Sequence, residues 1–245
     1  KPETFNEAPV YNPPAAFVAG AHVTSLDEYR ALYDRSVSDP EGFWAQEAEQ
    51  RITWFEKWHT VRQYDFHKGE IAWYLGGKLN ACYNCVDRHV EAGRGGDTAL
   101  IWEGNDPTES KNYTYGDLHA EVQKAGNALK NLGIVKGDRV CIYMQMIPEL
   151  PVAMLACTRI GAVHSIVFGA FSADSLRDRI QDSECKVLIT QDTGLRGAKN
   201  DIPMKANADA AVAECLSIQK VVVVQRTGHE VAMQNGRDVW CHEQV

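Results

Sequence analysis

The 245-residue sequence predicts an α/β protein: a doubly wound, mostly parallel sheet with flanking helices, preceded by a helical, aromatic N-terminal extension. Three observations carry this. From residue 98 onward, short apolar runs alternate with helical stripes at the spacing of strand–helix–strand units. The run Val140-Cys141-Ile142-Tyr143-Met144 is continuously apolar rather than alternating, as expected of a strand covered on both faces. Residues 51–92 are instead dense in aromatics, and Gly93-Arg94-Gly95-Gly96 breaks the pattern between the two regions.

The elements follow in order. Residues 1–24 are rich in Pro and Ala without periodicity and read as an extended arm. Ser25 followed by Glu28 is a capping-box pattern that opens an amphipathic helix through Leu26, Tyr29, Leu32 and Tyr33. Asp39-Pro40 starts a second helix, with Asp as cap and Pro where a missing N–H costs nothing, burying Phe43, Trp44 and Ala48. Trp54, Phe55, Trp58, Tyr64, Phe66, Trp73, Tyr74 and Tyr83 suit the packing of a small subdomain. The domain boundaries expected are therefore 1–24, 25–92 and 93–245. Strands are expected at 98–102 and 111–114, then a helix from Thr114 whose stripe Leu118, Val122, Ala125, Leu129 and Leu132 stops at Gly133. Further strands fall at 140–146, 162–168, 186–190 and 220–225, with helices at 148–159, 173–182 and 206–218. In such sheets ligands sit beyond the carboxyl ends of the strands.

Composition narrows the function classes. At 44% hydrophobic and 24% charged residues the chain has a globular profile. No apolar run approaches the ~18 residues of a membrane span. Twenty-five basic against 33 acidic residues give a net charge of −8, with the cations scattered, which argues against nucleic acid or an anionic membrane as partner. Seven cysteines, an odd number widely spread, suit reduced thiols in the cytoplasm. The chain opens at Lys1 without a secretory pattern and stops at Val245 after a strand and a polar segment, which reads as a piece of something larger.

Standard nucleotide motifs are missing: neither GxGxxG nor GxxxxGK[ST] occurs. Cys82-Tyr83-Asn84-Cys85, with His89 beyond it, lacks the second ligand pair of a structural zinc site and lies inside a helical pattern. Buried structural cysteines are expected there, with a redox role for Cys82 and Cys85 as the alternative, and no metal ligands are assigned. The loop Gln191-Asp192-Thr193-Gly194-Leu195-Arg196-Gly197-Ala198-Lys199 places two cations, with small residues between them, at a strand's carboxyl end. Either it binds a phosphorylated ligand, the small residues giving the anion room and the cations gripping it, or it is a solvated loop. In Phe168-Gly169-Ala170-Phe171-Ser172, Ser172 can cap the next helix, and Gly169 either admits an extended substrate or makes a tight turn. His164 reads as a core histidine.

Beyond these readings, Gly76-Gly77-Lys78-Leu79-Asn80-Ala81-Cys82-Tyr83-Asn84-Cys85-Val86-Asp87-Arg88-His89 resembles the signature of acetyl-coenzyme A synthetases. So do Trp54-Phe55-Glu56-Lys57-Trp58 and Ala162-Val163-His164-Ser165-Ile166-Val167-Phe168-Gly169. The resemblance runs from about Tyr29 onward, and it implies the first part of an adenylate-forming domain, ending before its phosphate loop. It also implies the chemistry. ATP and acetate would give acetyl-AMP and pyrophosphate with Mg2+ offsetting the triphosphate charge, and the coenzyme A thiol would then take the acetyl group. By position, Arg196, Gly197, Ala198 and Lys199 match the basic loop that grips the nucleotide end of coenzyme A, and Gly169 and Ala170 match the paired-glycine turn beside the pantetheine path. Ala170 stands where the family has Gly, and Lys199 where Arg is common. The resemblance places no catalytic residue within this chain, so the chain alone is expected to be inactive. The alternatives are a propionyl- or other short-chain acyl-CoA synthetase and a non-catalytic coenzyme A-binding module. Partners are expected to be small molecules, without nucleic acid or membrane, and an oligomer is compatible with the sequence.

Overall fold

A computed structural model describes residues 11–244. The chain divides after Lys78 into two compact units, earlier than the glycine-rich break suggested. The reason lies in the helical stretch that follows: Cys82 and Val86 are fully buried in one cluster with Leu118 and Val122, so this stretch belongs with the second unit.

The first unit contains α1 (Ala15–Ala19), α2 (Leu26–Ser38), α3 (Pro40–Arg51) and an antiparallel pair, β1 (Thr60–Asp65) and β2 (Glu70–Leu75). Residues 1–10 of the expected arm lie outside the described residues, and the remainder is not wholly extended. Pro14 sits at φ −58° and leads Ala15 and Ala16 into the single-turn helix α1. Ser25 caps α2 by accepting from the Glu28 N–H, while the Glu28 carboxylate reaches back to the Thr24 N–H. Asp39 caps α3 through the Gly42 N–H, with Pro40 at the first position. Ala48 is buried, but Trp44 is 44% exposed, a correction to the expected buried face. Only part of the expected aromatic packing forms: Trp54, Trp58 and Tyr74 cluster, while Phe55, Tyr64 and Phe66 are exposed. Trp54 meets Trp58 at 4.8 Å between ring centroids, and Tyr74 meets Trp58 at 5.0 Å. The sequence reading missed β1 and β2 because the strand residues there are polar or aromatic without clean alternation.

The second unit opens with π-helical turns at Tyr83–Asp87 and Val90–Arg94. An antiparallel pair follows, β3 (Thr98–Glu103) and β4 (Ser110–Thr114). Next come α4 (Tyr115–Asn131), β5 (Arg139–Met144), α5 (Glu149–Ile160), β6 (Val163–Phe168), α6 (Ala173–Ser183) and β7 (Val187–Gln191). The chain continues through β8 (Gly194–Arg196), β9 (Lys199–Ile202), α7 (Met204–Val212), β10 (Lys220–Val224) and β11 (Asp238–Trp240). Thr114 and Asp117 close a reciprocal capping box on α4. Gly161 ends α5 at φ +76°, where a residue with a Cβ would be strained.

The five-stranded sheet has the order β11-β10-β7-β5-β6, with every neighbouring pair parallel. The two-residue period decides the layers. Val140, Ile142, Val187, Ile189, Val222 and Val224 face one cluster with Leu150, Ala153 and Cys157 of α5. Cys141, Tyr143, Leu188, Val221 and Val223 face the other, with Leu176 and Ile180 of α6 and Met204 and Ala208 of α7. Helices therefore cover both faces, as the continuous apolar run of β5 requires. The chain passes from β5 to β6 on one side and returns to β7 on the other, so a switch point opens between β5 and β7. Among the described residues no helix is long and apolar enough to cross a membrane.

Candidate functional site

The carboxyl ends of β5 and β6, the β8–β9 hairpin that follows β7 and the β3–β4 turn line a cavity of about 970 Å³. Gly169, Ala170, Arg196 and Lys199 all line it, so residues far apart in sequence share one cleft at the switch point. Gly197 and Ala198 are not among the lining residues.

The basic segment departs from the loop that was expected. It is an antiparallel hairpin, β8 paired with β9, with Arg196 directly opposite Lys199 and Gly197-Ala198 as its turn. Gly197 adopts φ +58°, a left-handed conformation that makes the two-residue reversal cheap. The small residues thus fold the turn, and the cations are the groups presented. Like charges directly across an antiparallel pair repel. Both side chains are exposed, and neither makes an ion pair among the described residues.

The hairpin is fastened at its base and its tip. At the base, Gln145 accepts from the Leu195 N–H at 2.9 Å and donates to the Leu195 carbonyl at 3.2 Å. Fully buried Gln191 accepts from the Gln145 N–H at 2.8 Å and donates to the Thr193 carbonyl at 2.9 Å, tying the ends of β5 and β7 together. A Cβ on Gly194 would lie 2.6 Å from the Gln145 amide carbon, so only glycine admits this clamp. At the tip, Asn105 accepts from the Gly197 N–H at 2.7 Å and donates to the Gly197 carbonyl at 2.9 Å.

A second wall comes from β3 and the segment after β10. The Trp102 indole N–H donates to the Met146 carbonyl at 2.8 Å, and the Arg226 guanidinium lies 5.2 Å from its ring centroid. Arg226 also donates twice to Glu109, at 2.6 Å each. This fork holds the Glu109 carboxyl below its ordinary value. Buried Asp192 accepts backbone N–H bonds from Arg226, Thr227 and Gly228 and so fixes that segment.

The other predicted loop folds as expected at its helix end: Ser172 accepts from the Ser175 N–H and caps α6. The Tyr143 hydroxyl donates to the Phe171 carbonyl at 2.9 Å and pins the turn. Gly169 has a packing reason for lacking a side chain, since a Cβ there would lie 3.0 Å from the Met144 carbonyl oxygen. Ala170 is exposed beside it.

Cys82 and Cys85 are both free thiols, the first buried and the second exposed, which corrects the expectation that both are buried. Asp87 accepts two bonds from Arg159 Nη1 at 2.8 Å each and lies 3.2 Å from His119 Nε2. Cys82 sits beside this pair, its thiol pushed up by burial. The cluster staples the π-helical turns to α4 and α5. His164 is half-buried on β6, its pKa lowered by burial. Among the described residues no group of three or more His, Cys, Asp and Glu is placed to hold a metal.

Sequence reasoning missed Gln145, Gln191, Asn105, Glu109, Trp102 and Arg226. A polar residue closing an apolar strand run could have flagged Gln191, and Arg226 follows such a run. Asn105 carries no signal, because its partner lies on the distant hairpin.

Residues 86–242 match the family described as AMP-binding enzyme, and residues 29–85 match the acetyl-coenzyme A synthetase N-terminus. The chain is 52% identical over 238 residues to the acetyl-coenzyme A synthetase of Halorhodospira halophila, covering 97% of this chain and 36% of that protein. It is 53% identical over 234 residues to the acetyl-coenzyme A synthetase of Saccharophagus degradans, covering 96% of this chain and 36% of the relative. With the acetyl-coenzyme A synthetase of Rubrobacter xylanophilus it shares 54% identity over 233 residues, covering 95% of this chain and 35% of the relative. The chain thus spans about a third of the length of the curated relatives it matches.

Proposed function

Since the chain belongs to the AMP-binding enzyme family and carries an acetyl-coenzyme A synthetase N-terminus, we propose that it is the part of an acetate–CoA ligase that holds coenzyme A. In that reaction an acetate oxygen attacks the α-phosphorus of ATP, and pyrophosphate leaves. The thiol sulfur of coenzyme A then attacks the acetyl carbonyl carbon and gives up its proton, AMP departs with the electron pair of the broken C–O bond, and acetyl-CoA forms.

The observation that carries the reading is the facing pair Arg196 and Lys199 on the cavity wall, with no carboxylate partner among the described residues. Two repelling cations held in register form a site that an anion relieves. Phosphate oxygens on the nucleotide end of coenzyme A meet that need, Arg196 as a planar fork and Lys199 as a point charge. The turn at Gly169 and Ala170, flanked by Phe168 and Met146, gives the pantetheine arm an apolar path inward. The Ala170 methyl narrows that path, and Lys199 supplies a point charge without the planar bidentate fork of an Arg.

ATP and Mg2+ belong to the first step, in which the ion would offset the triphosphate charge. An ion of this kind takes most of its ligands from phosphate oxygens and water, with one or two carboxylates from the protein. All seven cysteines are free thiols, which supports a cytoplasmic setting.

The test is Arg196→Ala in a protein of the relatives' full length that includes these residues. The KM for coenzyme A should rise about tenfold, the loss of one charge-assisted contact. Acetate-dependent ATP–pyrophosphate exchange, which needs no coenzyme A, should be unchanged. Loss of exchange with an unaltered KM would assign the hairpin to ATP instead.

A further inference from the structure

The Arg196–Lys199 hairpin follows β7 as a separate two-stranded pair, with a frame at its base and a single side chain at its tip. Its base is held by Gln145, itself bonded to buried Gln191. Its tip is held by Asn105, whose amide satisfies both the N–H and the carbonyl of Gly197, at 2.7 and 2.9 Å. Gly197 is the residue between the two cations. Asn105 is exposed and lies in the β3–β4 turn, far from the hairpin in sequence. That turn is itself anchored: Glu109 by the fork to Arg226, and Trp102 by its bond to the Met146 carbonyl.

We propose that Asn105 is a positioning residue for coenzyme A: it holds the left-handed Gly197 turn so that Arg196 and Lys199 stay on one edge of the cavity. This rests on the coenzyme A reading and adds to it a residue that hydrogen-bonds the turn between the two cations. The physical need is specific. Cross-strand cations push apart, and a two-residue turn whose peptide groups faced only water would let the tip splay before the ligand arrives. A bidentate amide bond at the turn removes that freedom in advance, so less ordering is left for binding. The Glu109–Arg226 fork supports the β3–β4 turn, linking Asn105 to the segment after β10 that Asp192 already fixes.

The experiment compares Asn105→Ala, Arg196→Ala/Lys199→Ala and the triple variant, each in a protein of the relatives' full length. Asn105→Ala should raise the KM for coenzyme A about fivefold, with ATP–pyrophosphate exchange and Tm unchanged. Asn105→Ser, which keeps an acceptor for the Gly197 N–H, should recover part of that loss. On the Arg196→Ala/Lys199→Ala background, Asn105→Ala should add nothing, because it acts through those cations. In the 245-residue chain, the Gly197 amide hydrogen should exchange faster with solvent once Asn105 is Ala. Two failures are distinguishable. If Arg196→Ala/Lys199→Ala leaves the KM for coenzyme A unchanged, the coenzyme A reading falls and the positioning role with it. If that variant raises the KM but Asn105→Ala does not, or if Asn105→Ala adds its full effect in the triple variant, the positioning role alone is overturned.

Discussion

Burial separates residues that share one chemistry. Seven thiols are distributed between core and surface. Burial pushes Cys157 up to about 12 and raises Cys141 as well, where the neighbouring Cys185 thiol is the larger cause. Cys85 is exposed. A thiol reacts as its thiolate, so iodoacetamide at about pH 8 should modify Cys85 readily and leave Cys157 unmodified in the native protein. Peptide mass spectrometry reads the outcome, and equal labelling of the two would contradict the packing of α5. The cysteine motif was visible in the sequence, but the exposure of its second member was not. That depends on which side of a π-helical turn faces α4 and α5, a matter of packing rather than spacing.

Elements show a sharper division. The Leu118, Val122 and Leu129 stripe, the Thr114 cap and the stop at Gly133 all fall where the sequence places them, because helix period and caps are local. The hairpin β8–β9 went unread, since its strands are three and four residues long and largely polar, too short for alternation to register. Gly194 is its structural key. Replacing it with Ala would drive a methyl into the Gln145 amide, held on its other side by Gln191, so the side chain cannot swing away without losing its bonds. Gly194→Ala should lower stability by about 1–3 kcal/mol, measured as a shifted urea midpoint at constant m. An unchanged midpoint would mean that the clamp yields freely.

Over the whole second unit, one buried charge network ties α7 to β11. Lys205, 1% exposed, donates to Asp209, Asp238 and the Ala232 carbonyl, and Arg237 bonds both carboxylates. Burial acts to raise the Asp238 carboxyl, but hydrogen bonds from Arg237, Lys205 and the Gln234 N–H prevail and hold it below the ordinary 3.8. A carboxyl depressed in the folded state contributes stability that is fully present above the unfolded value. That contribution is lost as pH falls through the folded one. Urea unfolding should therefore show stability declining below about pH 4, in part through this group. Asp238→Asn should cost about 1–3 kcal/mol at neutral pH, since the buried Lys205 ammonium keeps Asp209 but loses the second of its carboxylates, and should flatten the acid decline. An acid decline as steep as the parent's would place its source elsewhere.

By itself the sequence determined the strand–helix alternation, the doubly wound class, the helix caps and the two loops worth watching. Each rests on period, capping or turn chemistry within a few residues. The resemblance carried by the cysteine-containing signature supplied the family. Only the tertiary structure decided that Gly169, Ala170, Arg196 and Lys199 line one cavity, that the basic segment is a hairpin, and that Asn105 and Gln145 hold it. These depend on the strand order β6-β5-β7, which brings the carboxyl ends of β5 and β7 side by side, and on bonds between residues separated by 50 and 92 positions. Local propensity reaches a few residues along the chain; a cleft is made where distant segments satisfy one another's backbone groups.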